Sequence, residues 1–425
     1  MTDQQRPPRG PFRDFTPSRR GVLMGGAALT ASLFAPKMLR AADFPTSAVN
    51  ATGLKVTDDT VTIGILHSIT GTMAISETGS VQAEKLAISQ INAQGGILGR
   101  KIEFIQEDGA SDWPTFAEKA RKLLVNDKVA SVMGCWTSAS RKAVLPVFEQ
   151  YNGFLYYPTF YEGLEQSPNV IYTGQEATQQ IIAGIDWVTR TKGAKSFYLL
   201  GSDYIWPRTS NKIARKHIEK LGLSVVGEEY YPLGHTQFNS VINKIRLKKP
   251  DVIYAIVVGG SNVAFYKQLK AAGIDMTKEK PILLTISVTE DEIRGIGGEN
   301  IVGAYACMKY FQSLDNENNM AFVKAFKDMW GQDMVIGDVT QAAYLGPWLW
   351  KAAVEKAGSF DIDKVRAASP GIELTSAPEG YVKVHENHHL WSKTRVGRAK
   401  SDGQYEVVFE TKDLVEPDPY PEGYQ

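Results

Sequence analysis

The residues in this sequence that could do chemistry gather in a few short stretches. Ser138, Cys135, His67 and His235 are the types that serve as nucleophile or base, and a hydrolase would need such groups in mutual reach with an orienting partner. None of them stands in a Gly-x-Ser-x-Gly elbow or in a metal-type His/Glu spacing, so the sequence predicts no enzyme. His388 and His389 suggest a metal pair, but adjacent residues on a strand point to opposite faces, and no metal or other cofactor is expected. Recognition chemistry is better represented. The stretch Cys135–Ser140 follows a short apolar run and leads into a helical pattern, so Ser138 and nearby backbone N–H groups can donate to a carbonyl oxygen; Ser138 and Ser140 could equally cap the helix. Trp136 and Tyr157 offer flat amphipathic faces on which a planar amide could stack, or are ordinary core aromatics. Gly259-Gly260-Ser261 opens a later helix and brings Ser261 to another strand end, a turn shared by many such loops.

The elements that must position these groups alternate. Short β-branched runs at 61–66, 102–107, 131–133 and 154–156 are separated by helical spacing at 81–92, 115–126 and 141–150. The alternation restarts after Val170-Ile171-Tyr172, with strands at 196–200, 224–230, 252–258 and 282–285 and helices between them. This pattern predicts an α/β protein of two doubly wound, Rossmann-like lobes. A run at 303–308 reads as a connecting strand, helices follow at 320–330 and 342–356, and closing strands are joined by the Asp402-Gly403 turn. The expected division is 60–174 plus 306–370 for the first lobe and 175–305 plus 371–415 for the second, with 416–425 a terminal tail. Three chain crossings then form a hinge.

Composition narrows the partners. Basic and acidic residues balance at 47 each, so no overall field draws the chain to nucleic acid or to an anionic membrane. Residues 1–42 read as an export signal: Arg19-Arg20 precede an apolar Gly/Ala-rich run, shorter than the roughly 20 residues that span a bilayer. A twin-arginine route to the periplasm is expected, with Val22 where that motif prefers Phe. Cys135 and Cys307 are too few for a disulfide scaffold, and whether they pair is left open.

Longer stretches carry a family likeness. Ile91–Ile102 resembles a turn found throughout the type I periplasmic solute-binding proteins. Gly134–Val144, Tyr157–Gly163, Gly201–Arg208 and Glu386–Trp391 are similar to the branch of that family that binds urea and short-chain amides. The resemblance implies a three-strand hinge and a ligand held between the lobes. It implies contacts from Trp136, Ser138, Tyr157 and Thr159 on one side and Tyr204 on the other. Amino-acid-binding relatives place an acid after the strand matching 282–285 to hold the ammonium group; here Ile286 and Ser287 stand there, with Glu290 further on. That departure suits a neutral ligand contacted by Ser287.

The expected function is therefore capture of urea, or a short amide, for the membrane subunits of an ABC importer. The alternatives are an amide sensor of the amidase-operon type and a branched-chain amino acid binding protein. A ligand of about four heavy atoms gains at most about 6 kcal/mol, a dissociation constant of tens of micromolar.

Overall fold

The computed structural model describes residues 43–425 apart from Ala51 and Glu279, so the expected export segment lies outside the described residues. Its first sheet is all parallel, in the order β2-β1-β3-β4-β5: Lys101–Asp108, Thr60–His67, Val132–Gly134, Leu155–Tyr157 and Val170–Tyr172. β1 is buried along nearly its whole length, as expected of a strand covered by helices on both faces. The helices Ala74–Ala93 and Asp338–Ala357 pack on each other, and Phe322 and Phe326 of the helix Glu317–Trp330 cover Ala83 and Leu86.

The second sheet runs β15-β14-β10-β9-β8-β6-β7. β6 (Ser196–Ser202), β7 (Ser224–Tyr231), β8 (Val252–Ile256), β9 (Ile282–Thr285) and β10 (Tyr305–Met308) are parallel, while β14 (Arg395–Ala399) and β15 (Tyr405–Glu410) close it antiparallel through the Asp402-Gly403 turn. The fold is thus two doubly wound α/β layers, as the alternation of strands and helices predicts.

Two of the expected boundaries need correction. Residues 306–308 do not start the return to the first lobe, because β10 pairs with β9 and β14 inside the second sheet. Residues 371–391 do not belong to the second lobe. They form a small antiparallel sheet, β11 (Glu373–Leu374), β12 (Val382–Val384) and β13 (Leu390–Trp391), whose Val382, Val384 and Leu390 bury their apolar side chains beside Ile63, Ile65 and Trp350. Burial against the first sheet decides where these short strands go.

The chain passes between the lobes near Thr173–Gln175, at Lys309 and at Ser392–Arg395, and these three strands are bonded to one another. Lys309 Nζ donates to the Thr173 carbonyl at 2.7 Å and pairs with Glu379 at 2.5 Å. Gln175 Nε2 donates to Thr394 Oγ1 at 3.2 Å, and the Arg395 guanidinium donates to the Lys309 carbonyl. The last residues, 416–425, are tied to both halves. The Pro419 carbonyl accepts from Leu164 N at 2.7 Å, and the Tyr424 hydroxyl lies 2.6 Å from Nδ1 of His217 on the helix Ile205–Lys220.

Candidate functional site

β3 ends at a sharp turn. Gly134 has φ 153° and its backbone runs so close to Leu66 that a Cβ would lie 2.2 Å from the Leu66 carbonyl oxygen, so only glycine fits. Cys135 follows at φ 62°, an uncommon conformation for a residue with a side chain, and the turn delivers Trp136 to the cleft. The helix Ser138–Gln150 then starts. Its cap is Thr137, whose hydroxyl accepts from Ser140 N at 3.0 Å, so neither Ser138 nor Ser140 caps it.

Ser138 is part of an ionic wall. Its hydroxyl donates to Glu162 Oε2 at 2.6 Å and accepts from Arg141 Nη1 at 3.1 Å. Arg141, fully buried, also donates to Glu165 Oε1 at 2.7 Å and Glu162 Oε1 at 3.4 Å, and its guanidinium lies 4.7 Å and 4.4 Å from the rings of Tyr157 and Tyr161. Burial alone would lower the pKa of that guanidinium, but Glu165, Tyr157 and Glu162 outweigh it and hold it above its usual value. Burial would likewise raise Glu165, yet Arg141 and Lys142 bring its carboxyl down to about 2. The Tyr157 hydroxyl donates to the Trp136 carbonyl at 2.7 Å. Ser138 and Tyr157 therefore hold the wall, and their hydroxyls are already engaged. Ser287 is engaged too: its hydroxyl donates to the Val257 carbonyl at 2.8 Å and lies 3.0 Å from that of Thr285.

The remaining expected contacts differ. Trp136 Nε1, Thr159 Oγ1, Tyr204 Oη and Ser261 Oγ are all buried without a hydrogen-bond partner, as are Trp206 Nε1 and the Asn262 amide. A chain of rings crosses from one lobe to the other: Trp136 to Phe160 at 6.2 Å, Phe160 to Trp206 at 5.5 Å, and Trp206 to Tyr204 at 6.4 Å between centroids. Tyr204 precedes the helix Ile205–Lys220, and its hydroxyl pKa is raised by burial first, then by Tyr157 and Glu162. Ser261 opens the helix Ser261–Ala271 next to Gly259, where a Cβ would lie 2.9 Å from the Thr72 carbonyl of the facing lobe.

Sequence reasoning passed over a buried triad beside this rim. His67, at the end of β1, has Nε2 2.9 Å from Glu84 Oε1 and Nδ1 3.3 Å from Glu77 Oε2. Burial would push the imidazole down, but Glu84 and Glu77 prevail and raise it to about 10. Two acids seven residues apart among the buried residues of the helix Ala74–Ala93, following a histidine at the end of β1, were the readable signal. Glu290, the fallback ammonium partner, does not serve as one: it is buried, accepts from Gln312 N at 2.9 Å, and burial drives its carboxyl well above the usual range. His388 and His389 do not lie side by side on a strand. His388 has φ 66° in the preceding turn, and His389 stacks on Tyr172 with centroids 4.3 Å apart. Cys135 and Cys307 are separate buried thiols.

The chain belongs to the family described as Periplasmic binding protein domain, whose model matches residues 61–425. It is thus a periplasmic-type solute-binding protein, the class that includes the solute-binding proteins of ABC transporters. The leucine-, isoleucine-, valine-, threonine- and alanine-binding protein of Pseudomonas aeruginosa is 28% identical over 319 residues, covering 73% of this chain and 82% of that protein. A Geobacillus stearothermophilus protein named limonene hydroxylase is 33% identical over 120 residues, which cover 28% of this chain and 22% of that protein's length. Among solved structures, an ABC-transporter solute-binding protein from Rhodopseudomonas palustris BisB5 in complex with 3,4-dihydroxybenzoic acid has a TM-score of 0.76 at 23% identity. The match covers 84% of this chain and 99% of that one, and it bears on the fold.

Proposed function

We propose that this protein is exported to the periplasm, closes its lobes over one molecule of urea or a similarly small amide, and hands it to the membrane subunits of an ABC importer. The observation that carries this reading is the set of buried polar groups without partners. Trp136 Nε1 can only donate, whereas the Thr159 and Tyr204 hydroxyls can accept. Urea offers one carbonyl acceptor and several N–H donors on a flat frame. Each buried group left unpaired costs about 1–3 kcal/mol, so a ligand that answers them is strongly preferred to none. In this arrangement the indole N–H meets the carbonyl, the hydroxyls accept from the amino groups, and the aromatic rings exclude water.

Charge weighs against the ligands named for the relatives. Amino acids and dihydroxybenzoate both carry a carboxylate, yet the buried cation beside the site, Arg141, is already neutralised by Glu162 and Glu165. The P. aeruginosa relative favours a branched-chain amino acid as the second reading. Such a ligand would need a carboxylate anchor, which Arg141, held by Glu162 and Glu165, does not supply. The solute is expected to be released unchanged, which mass spectrometry after prolonged incubation checks.

A thermal-shift panel of urea, formamide, acetamide, leucine and 3,4-dihydroxybenzoate tests the reading, because a solute that binds only the folded state raises its Tm. Stabilisation by urea or a short amide is expected. Stabilisation by leucine or the benzoate alone contradicts the assignment of ligand.

A further inference from the structure

Among the buried groups that the hydroxyls and rings of the cleft leave unaccounted for is the carboxyl of Glu77. Glu77 lies in the first turn of the helix Ala74–Ala93, where the helix N-terminus favours negative charge, and it is completely buried. Its Oε2 accepts from Ser68 N at 2.7 Å and faces His67 Nδ1 at 3.3 Å, and His67 is itself braced from behind by Glu84 at 2.9 Å. Oε1 has no partner. A buried carboxylate oxygen without a donor is costly, and a structure that fixes the other oxygen this firmly holds the free one in a set direction.

Its neighbours locate that direction. Cys135 N, at the turn that carries Trp136, donates to the Leu66 carbonyl at 2.8 Å, beside His67, and Met73, one turn before Glu77 on the same helix face, lies where a Cβ on Gly259 of the opposite lobe would meet its Sδ at 3.2 Å. The helix face that carries Glu77 therefore meets the opposite lobe near the turn that carries Trp136.

We infer that Glu77 is the specificity-determining contact of the cleft, its free oxygen accepting an amino N–H of the ligand and turning away any solute that presents a carboxylate. The inference rests on the small-amide reading and sharpens it: the cleft reads hydrogen-bond donors, and Glu84 and His67 act by holding Glu77 in place. A shape-based pocket would accept any flat solute of the right size. This one discriminates by charge and by N–H count.

Urea, acetamide and acetate share one planar frame of heavy atoms and differ in N–H donors and charge, so calorimetric titration of all three into the full chain isolates the effect. The wild type is expected to bind urea best, acetamide less well and acetate least. In Glu77→Gln, urea affinity should fall about tenfold while acetate affinity rises, compressing the ratio between them. Equal weakening of all three, as from damage to packing, or an unchanged ratio overturns the inference alone. A wild type that binds none of the three overturns the small-amide reading and the inference with it. Should Glu77→Gln fail to fold, Glu77→Asp retains the charge facing His67; it should weaken urea while still rejecting acetate, and acetate binding as well as urea would overturn the inference.

Discussion

Around Arg141 every polar side-chain atom has a partner: Glu162, Glu165, Ser138, Tyr157, Tyr161 and Tyr172 form one bonded set. Beside it, Trp136, Thr159, Tyr204 and Glu77 each keep a buried polar atom with nothing to bond. Trp136, Thr159 and Glu77 are as buried as Arg141 and Glu162, with Tyr204 only partly so, and burial alone does not separate the two regions. Under the small-amide proposal the answered groups serve stability, and these four, which are only some of the unpaired buried groups, meet the ligand.

The strongest way to break this contrast is to open the answered side. Arg141→Met leaves Glu162 buried with no cation and Glu165 with Lys142 alone, which should cost about 3–5 kcal/mol and lower the Tm of the ligand-free protein by about 10 °C. A Tm within a degree or two of wild type would mean that the wall does not depend on the ion pairs. A related test uses pH. His67 is raised from 6.5 to about 10 in the folded state, so its stabilising contribution is complete below pH 6.5 and is lost as pH rises toward 10. Thermal scans from pH 6 to 10 should show a decline on the order of a few kcal/mol that disappears in His67→Gln.

The unanswered side should respond in the opposite sense. Tyr204→Phe and Thr159→Val remove unpaired hydroxyls, so the ligand-free Tm should hold or rise slightly while ligand affinity falls about tenfold, read by calorimetry. Ser138→Ala gives a smaller effect and separates the two accounts of that residue. Its cost should be about 1 kcal/mol of stability, measured by melting, with affinity almost unchanged. A large loss of affinity would return Ser138 to the ligand.

Much of the architecture was legible in the chain. The parallel strands fall within a residue or two of the apolar runs, because β-branched stretches such as Thr60–His67 are buried on both faces and bounded by turns. What failed were assignments that depend on a distant partner. The strand Tyr305–Met308 carries no mark of which sheet it joins, and the two-residue strands at 373–374 and 390–391 are too short to show a period. The same limit governs the site. Trp136, Thr159 and Tyr204, the contacts proposed for the ligand, all stand just after strands. The engagement of Ser138 could not be read from the sequence, because Glu162 reaches it from the loop after the next strand. The His67–Glu77–Glu84 triad lay within one β-to-helix passage, and two acids two turns apart on one helix, after a histidine at the strand end, were the sign to follow.

The claim on which the rest depends is that the cleft takes a small uncharged amide in preference to a zwitterion. Equilibrium dialysis of radiolabelled urea against the full chain, with unlabelled leucine as competitor, measures this directly. One saturable urea site per chain, with a dissociation constant of tens of micromolar and no displacement by leucine, is the predicted result. No saturable urea binding, with labelled leucine retained in its place, would contradict it.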